Sequence, residues 1–342
     1  MTGSDVTRDG VQGARPAREA APGAQGGRRR RRRGGGGRGE QAMVPDAEFS
    51  SYYGRPILHE PTWKALDIAG YLYLGGLAGS SSLLAAGAQA TGRPALARPA
   101  KLGAAGAITL SLGALVHDLG RPARFLNMLR VFKPTSPMSV GSWLLAGYAP
   151  LTAVAAATDV AGRYRLVGSA ATAASAVLGP AVVSYTAVLI ADTAVPSWHE
   201  GFRQLPFVFA GSGASAAAGL ALVCSPVDQA GPARRLAVLG AALELGAFRA
   251  MKRHMGLMAE PYEQGRAQVL LPTAELLTAG GAALAACAGR FRDRRLAVLA
   301  GAALLTGSAA LRFGVFHAGV ASARDPRYTV VPQRERVASR TG

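Results

Sequence analysis

HDLGRPARFLNMLRVFKPTSPMSVGSW, residues 117–143, decides the fold. It joins two long apolar runs, and it gathers charge, aromatic rings and proline in a chain otherwise rich in Ala, Gly and Leu. A helix rising from about residue 100 is expected to stop near Gly120, because the residue before Pro122 is pushed out of the α region. His117, Asp118, Arg121 and Arg124 then cluster where that helix ends. Helical spacing lets His117 face Arg121, and Asp118 also reaches Arg121, so the carboxylate has a cationic partner. Pro134 and Pro137 hold an extended loop, Ser139 is placed to cap the next helix, and Trp143 suits a membrane interface.

Outward from this loop the chain is that of a membrane protein. Charged residues make up 17% of it, against about 25% in soluble domains. Eight apolar stretches follow one another, roughly 64–88, 100–119, 139–159, 166–191, 205–224, 233–252, 268–289 and 296–318, each near the ~20 residues that span a bilayer. The sixth and eighth carry charge and are the weakest. The expected fold is all-α: a bundle of about eight transmembrane helices over residues 49–320, preceded by a disordered basic arm (1–48) and followed by a polar tail (321–342). Gly, Ala and Ser recur in every stretch, which is what close helix packing in lipid requires. No internal repeat is evident.

The net charge of +18 would ordinarily point to nucleic acid. Its densest run, however, is Arg28–Arg33, inside an arm of Gly, Ala, Pro and Arg that has little to bury. A solvated arm that fixes topology is the favoured reading, and no apolar run follows closely enough for a cleavable signal. Cys224 and Cys287 sit singly in apolar runs, whereas an iron–sulfur cluster usually needs four thiolates. Haem is not expected either: a haem in a bundle takes axial ligands from facing helices, and His117 and His317 both lie at helix ends on one face.

An even number of spans puts both termini on one side, here called the N-face. It carries the long connections (120–138, 192–204, 253–267) and all three tryptophans, Trp63, Trp143 and Trp198. Long, sequence-rich loops are where partners dock. The arginine arm argues that the N-face is cytoplasmic. Arginines of the far face, among them Arg93, Arg163, Arg234 and Arg235, oppose it.

The stretch DLGRPARFLNMLRVFKPTSPMSVGSW also resembles the signature loop of the NrfD/polysulfide reductase membrane subunits. Tyr52-Tyr53-Gly54-Arg55-Pro56 followed by Gly75-Gly76-Leu77-Ala78-Gly79 is similar to that family's approach to its first helix. Residues 254–267 and 312–336 resemble actinobacterial members, and the likeness covers roughly 50–336. The resemblance implies a membrane anchor that exchanges electrons with quinone, menaquinone being the expected one. It further implies two partners, a four-cluster ferredoxin-like iron–sulfur subunit and a molybdopterin catalytic subunit. The anchor would not be catalytic alone, and Arg121, Arg124, Asn127, Arg130 and Lys133 of the loop would meet the partner.

Ionisable residues inside spans are costly and are functional candidates. Asp118, Glu244, Arg249, Glu275, Arg312 and His317 all fall in the N-face half, with Tyr71 and Tyr185 at similar depth. A quinone needs an apolar slot, hydroxyl or imidazole donors at its carbonyls, and a proton source. The resemblance places quinone within reach of the first, second and fourth helices, which singles out Tyr71, Asp118 and Tyr185, with His117 beside them. Where that family often has Asn or His, this chain has Asp67, Ile68 and Tyr71. Glu244, Glu275 and Arg312 suit either proton transfer or a static interhelical ion pair. Packing tyrosines and a structural Asp118–Arg121 pair are the plainer readings. A transporter or a purely structural anchor is the alternative for the whole chain.

Overall fold

The computed structural model describes residues 5–7, 10–12, 58, 61–118 and 127–341. The chain divides into two compact units, Pro61–Ser322 and Met1–Glu60 with Ala323–Gly342. In the latter, β1 (Asp5–Thr7) pairs antiparallel with β2 (Gly10–Gln12), and α10 spans Arg327–Thr341. The remainder of the arm expected to be disordered lies outside the described residues.

The larger unit is helical. Its elements are α1 (Ala65–Ala90), α2 (Pro94–Asp118), α3 (Pro137–Ala161), α4 (Arg165–Ala191), the short α5 (Pro196–Glu200), α6 (Leu205–Cys224), α7 (Gly231–Met255), a 3-10 turn (Gly256–Glu263), α8 (Ala267–Phe291) and α9, which starts at Arg294 and runs to Arg324. Seven of these helices are long and apolar enough to cross a membrane. The exception is α7, the expected sixth span. It has the length, 25 residues, but Arg234, Arg235, Glu244, Arg249, Lys252 and Arg253 dilute its apolar character.

Helix ends follow local chemistry, with two corrections. The second helix begins at Pro94, about two turns earlier than expected, because a proline at the first helical position gives up no hydrogen bond. Pro99 is accommodated in its early turns. Lys101 thus stands nearly two turns inside α2, buried and hydrogen-bonded to Asp159 at 3.0 Å. The cap of α3 is Ser136, with Pro137 following it, and Ser136 Oγ accepts from the Ser139 amide at 3.5 Å. Ser139, the expected cap, instead ties the preceding loop: it accepts from the Lys133 amide at 3.0 Å and donates to the Val131 carbonyl at 3.1 Å.

The inner helices are α1 and α6, of whose apolar windows 78% and 67% are buried. They touch where Gly213 of α6 lies on the backbone of Gly76 of α1. Gly79 meets Gly179 of α4, and Gly219 meets Gly301 of α9; in each case an added Cβ would stand 2.7 Å or less from the opposite carbonyl oxygen. Small residues thus bring helix axes close enough for dispersion contacts along their whole length. Leu166, Val177 and Leu276 point outward, where lipid covers them.

At the N-face, the indole of Trp198 from α5 is fully buried, stacks on Trp63 at 6.0 Å and meets Phe316 of α9 at 5.7 Å. Its Nε1 donates to the Val315 carbonyl at 2.8 Å, and Gly319 leaves room for the ring. Tyr262 of the 3-10 turn donates to the Ser197 carbonyl at 3.1 Å, and burial pushes its phenol pKa up. The start of α1, the α4–α6 connection and the end of α9 within this unit therefore share one face.

Candidate functional site

The first turn of α1 and the last turn of α2 meet at the N-face. Asp67, which is buried, accepts from His117 Nδ1 at 2.9 Å, while two thirds of the His117 side chain stays exposed. A carboxylate has only acceptors, so the imidazole must present its Nδ1 proton. The second ring nitrogen is then the exchangeable one. Asp118 is half-buried at the end of α2. Arg121, the partner expected for both His117 and Asp118, lies outside the described residues, as does Arg124.

One turn deeper, Tyr71 of α1 is 1% exposed and Tyr185 of α4 is 9% exposed. Their phenols are adjacent, close enough to interact electrostatically and by hydrogen bonding, although the contact lacks regular hydrogen-bond geometry. The backbone here is held by Ser111 of α2, whose hydroxyl donates to the Tyr71 carbonyl at 3.1 Å. Tyr185 in turn rests on Gly141: a Cβ there would stand 2.0 Å from Tyr185 Oη. The glycine of the SVGSW segment is thus a seat for the phenol. Elements from the quoted loop, α1, α2 and α4 converge on these two hydroxyls.

A second cluster is built where α1, α6, α7, α8 and α9 meet. Arg312 of α9 is fully buried, lies over the Phe209 ring at 3.6 Å and donates from Nη2 to the Phe209 carbonyl at 2.8 Å. Its Nε and Nη1 have no partner at normal distance. Gly76 of α1 leaves space for the guanidinium, and Tyr73 and Glu244 are its electrostatic neighbours. Glu244 of α7, 1% exposed, accepts from Thr278 Oγ1 at 3.0 Å through Oε1, and Ser212 is a further hydrogen-bonding neighbour of the carboxylate. Beside them Ser212 and Ser308 share a 2.8 Å hydrogen bond. Glu275, grouped with these two from sequence, is partly exposed instead and lies 3.9 Å from Arg249. Glu244 and Arg312 belong to one cluster, and Glu275 stands at its outer edge.

The loop before α3 presents Asn127, Arg130 and Lys133 to solvent, together with Val131, Phe132, Met138 and Trp143. Trp143 Nε1 donates to the Val131 carbonyl at 3.4 Å and its ring meets Phe132 edge-on at 6.4 Å. Cations interleaved with exposed aromatic and aliphatic side chains make this a surface suited to a protein partner.

Several participants were missing from the sequence-based set. Asp67 was noted only for its position, although an acidic residue in the first turn of a spanning helix is itself a weak signal. Tyr73 lies two residues from Tyr71 and hence on another face of α1. Gly141, Ser212, Thr278 and Ser308 carry no local signal, since their role exists only across helices.

The fold and its polar groups define a polytopic helical membrane protein with two buried polar clusters, one of them a turn below the N-face Asp67–His117 contact. The chain belongs to the polysulphide reductase NrfD family, whose model matches residues 55–258. That family comprises membrane anchors of quinone-reactive molybdoenzyme complexes. The matched region includes the quoted loop, Tyr71, Tyr185 and Glu244, and ends before Glu275 and Arg312. No curated protein sequence matches the chain.

Proposed function

We propose that this chain is the quinone-reactive anchor of a molybdopterin/iron–sulfur oxidoreductase, passing electrons between a docked four-cluster ferredoxin-like subunit and menaquinone in the membrane. The observation that carries the reading is the pair of buried phenols, Tyr71 of α1 and Tyr185 of α4, adjacent to each other one turn below the Asp67–His117 contact. Phenol hydroxyls held together in an apolar surround are donors of the kind a quinone carbonyl oxygen accepts from. Quinone reduction supplies a two-electron, two-proton sink. The chain's own part is to orient and to handle protons. Tyr71 and Tyr185 hold the carbonyl oxygen, Asp67 fixes His117 in the tautomer that leaves its outer nitrogen free, and Asp118 supplies a further acid at the same helix end. The partner docks on the loop carrying Arg121, Arg124, Asn127, Arg130 and Lys133, which brings its nearest cluster to the same face. Glu244 and Arg312, with Glu275 at their edge, hold charge deeper in the bundle and exchange protons with this site. The complex sits in the cell membrane with the termini cytoplasmic.

Photolabelling tests the reading. An azido-menaquinone irradiated with the membrane-embedded chain should label peptides of α1 or α4 containing Tyr71 or Tyr185, and excess menaquinone should suppress that labelling. Suppressible labelling confined to α8 or α9 would overturn it.

A further inference from the structure

The far face holds a cavity that the quinone reading does not use. It has a volume of ≈ 490 Å³ and lies between the α1–α2 and α3–α4 hairpins. That is the size of pockets that take small ligands. Arg93, Lys101 and Arg165 line it, with Asp159 the one carboxylate and Thr158 and Ser169 as hydroxyls. The carboxylate is already occupied: Lys101 reaches it at 3.0 Å and Arg98 at 3.8 Å. Among the described residues no carboxylate lies within ion-pair distance of Arg93 or Arg165. The Nε of Arg93 is buried and unpartnered. Arg234 is near enough to Arg93 for the two to repel. The cavity is therefore a concave site with surplus positive charge.

We propose that this cavity binds the phosphate headgroup of an anionic phospholipid. Basic pockets between transmembrane helices near a bilayer surface are suited to acidic headgroups. The surroundings favour a lipid over a soluble anion. Val160, Tyr164, Leu166 and Val167 of the α3–α4 turn are all more than half exposed, Leu166 at 87%. They form an apolar wall beside the polar cavity, along which acyl chains run, and Tyr164 is a residue type that settles at the membrane interface. Glycines with left-handed backbone, Gly92 and Gly162 (φ +65° each), make the two turns that leave the cavity open.

The test uses the full-length chain purified in a neutral detergent and followed by thermal unfolding. Phosphatidylglycerol should raise the unfolding temperature at concentrations where phosphatidylcholine and inorganic phosphate do not. Each near-surface cation contributes about a factor of five to binding an acidic lipid, so R93Q/R165Q should weaken the apparent affinity roughly 30-fold. A control, R290Q/R292Q, removes two far-face arginines that do not line the cavity and should keep the wild-type response. If R93Q/R165Q does not fold, the single variant R165Q, at an exposed position, should still shift the titration about fivefold. Equal stabilisation by phosphatidylcholine, an unchanged response in the variants, or full stabilisation by inorganic phosphate alone would each overturn the proposal.

Discussion

Tyr71 and Arg312 are the two side chains whose burial is hardest to explain by packing alone. If the Tyr71 phenol only filled space beside Tyr185, Tyr71→Phe would be close to neutral for stability with no other effect. The quinone reading predicts a split outcome: unfolding temperature unchanged or raised, and quinol oxidation or quinone reduction by the assembled complex slowed at least tenfold. Unchanged turnover in that variant would return Tyr71 to the packing role. For Arg312 the discriminating experiment is a double-mutant cycle. Arg312 and Glu244 interact electrostatically without forming a contact ion pair, so removing one buried charge leaves the other less well compensated, and Arg312→Leu should be destabilising. Glu244→Leu added to it should recover most of that loss, because the two share one cluster. A structural pair would also recover turnover in the double variant. We expect assembly to return and turnover to remain low, as measured by quinone reduction against complex yield.

At the scale of elements, the candidate site is set by how closely helices approach. Gly179 of α4 lies on the Gly79 carbonyl of α1, at 2.5 Å for an added Cβ. Backbone cannot yield as a side-chain tip does, so Gly179→Ala must part the two helices, at about 1–3 kcal/mol. Tyr71 rides on α1 and Tyr185 on α4. The same substitution should therefore raise the apparent KM for quinone well below the denaturation temperature. A lowered unfolding temperature with an unchanged KM would show that the tyrosine pair does not depend on this crossing. These crossings also mark what the sequence disclosed. Hydropathy drew eight spans, seven of which are helices apolar enough to cross a membrane, and put two tyrosines at one depth, because each is a property of a single segment. Which serine meets which is not such a property. Ser212 and Ser308 are 96 residues apart and Asp67 and His117 are 50 apart. Nothing local distinguishes Gly141, which seats Tyr185, from Gly106 or Gly113, which meet nothing. The start of α2 was misplaced for a related reason: Pro94 and Pro99 look like loop residues until their place in the first turns is known.

The molecule as a whole carries two opposed topological signals. Arg28–Arg33 would retain the N-face in the cytoplasm, whereas Arg93, Arg163, Arg165, Arg234, Arg235 and Arg290 would retain the opposite face. If the arm prevails in the full chain, removing residues 1–48 should release the second signal and yield a mixed population. The native thiols report this directly, since Cys224 and Cys287 are exposed and both lie near far-face helix ends. A membrane-impermeant maleimide should label them from outside intact cells in the full chain, and less fully after the deletion. Labelling only from the cytoplasmic side in the full chain would reverse the assigned orientation. The seating of Trp198 has a further consequence, for biogenesis. Its indole closes on Val315, Phe316 and Gly319, all in the last spanning helix. A ribosome making this chain delivers that helix after α1–α8, so the N-face stays unlocked until Arg294–Arg324 has been made. Chains arrested before Arg294 should leave Trp198 open to quenchers that the finished protein excludes. On the docking proposed above, an incomplete subunit would offer a partner no finished platform, and folding of the last helix would serve as the inspection step before assembly.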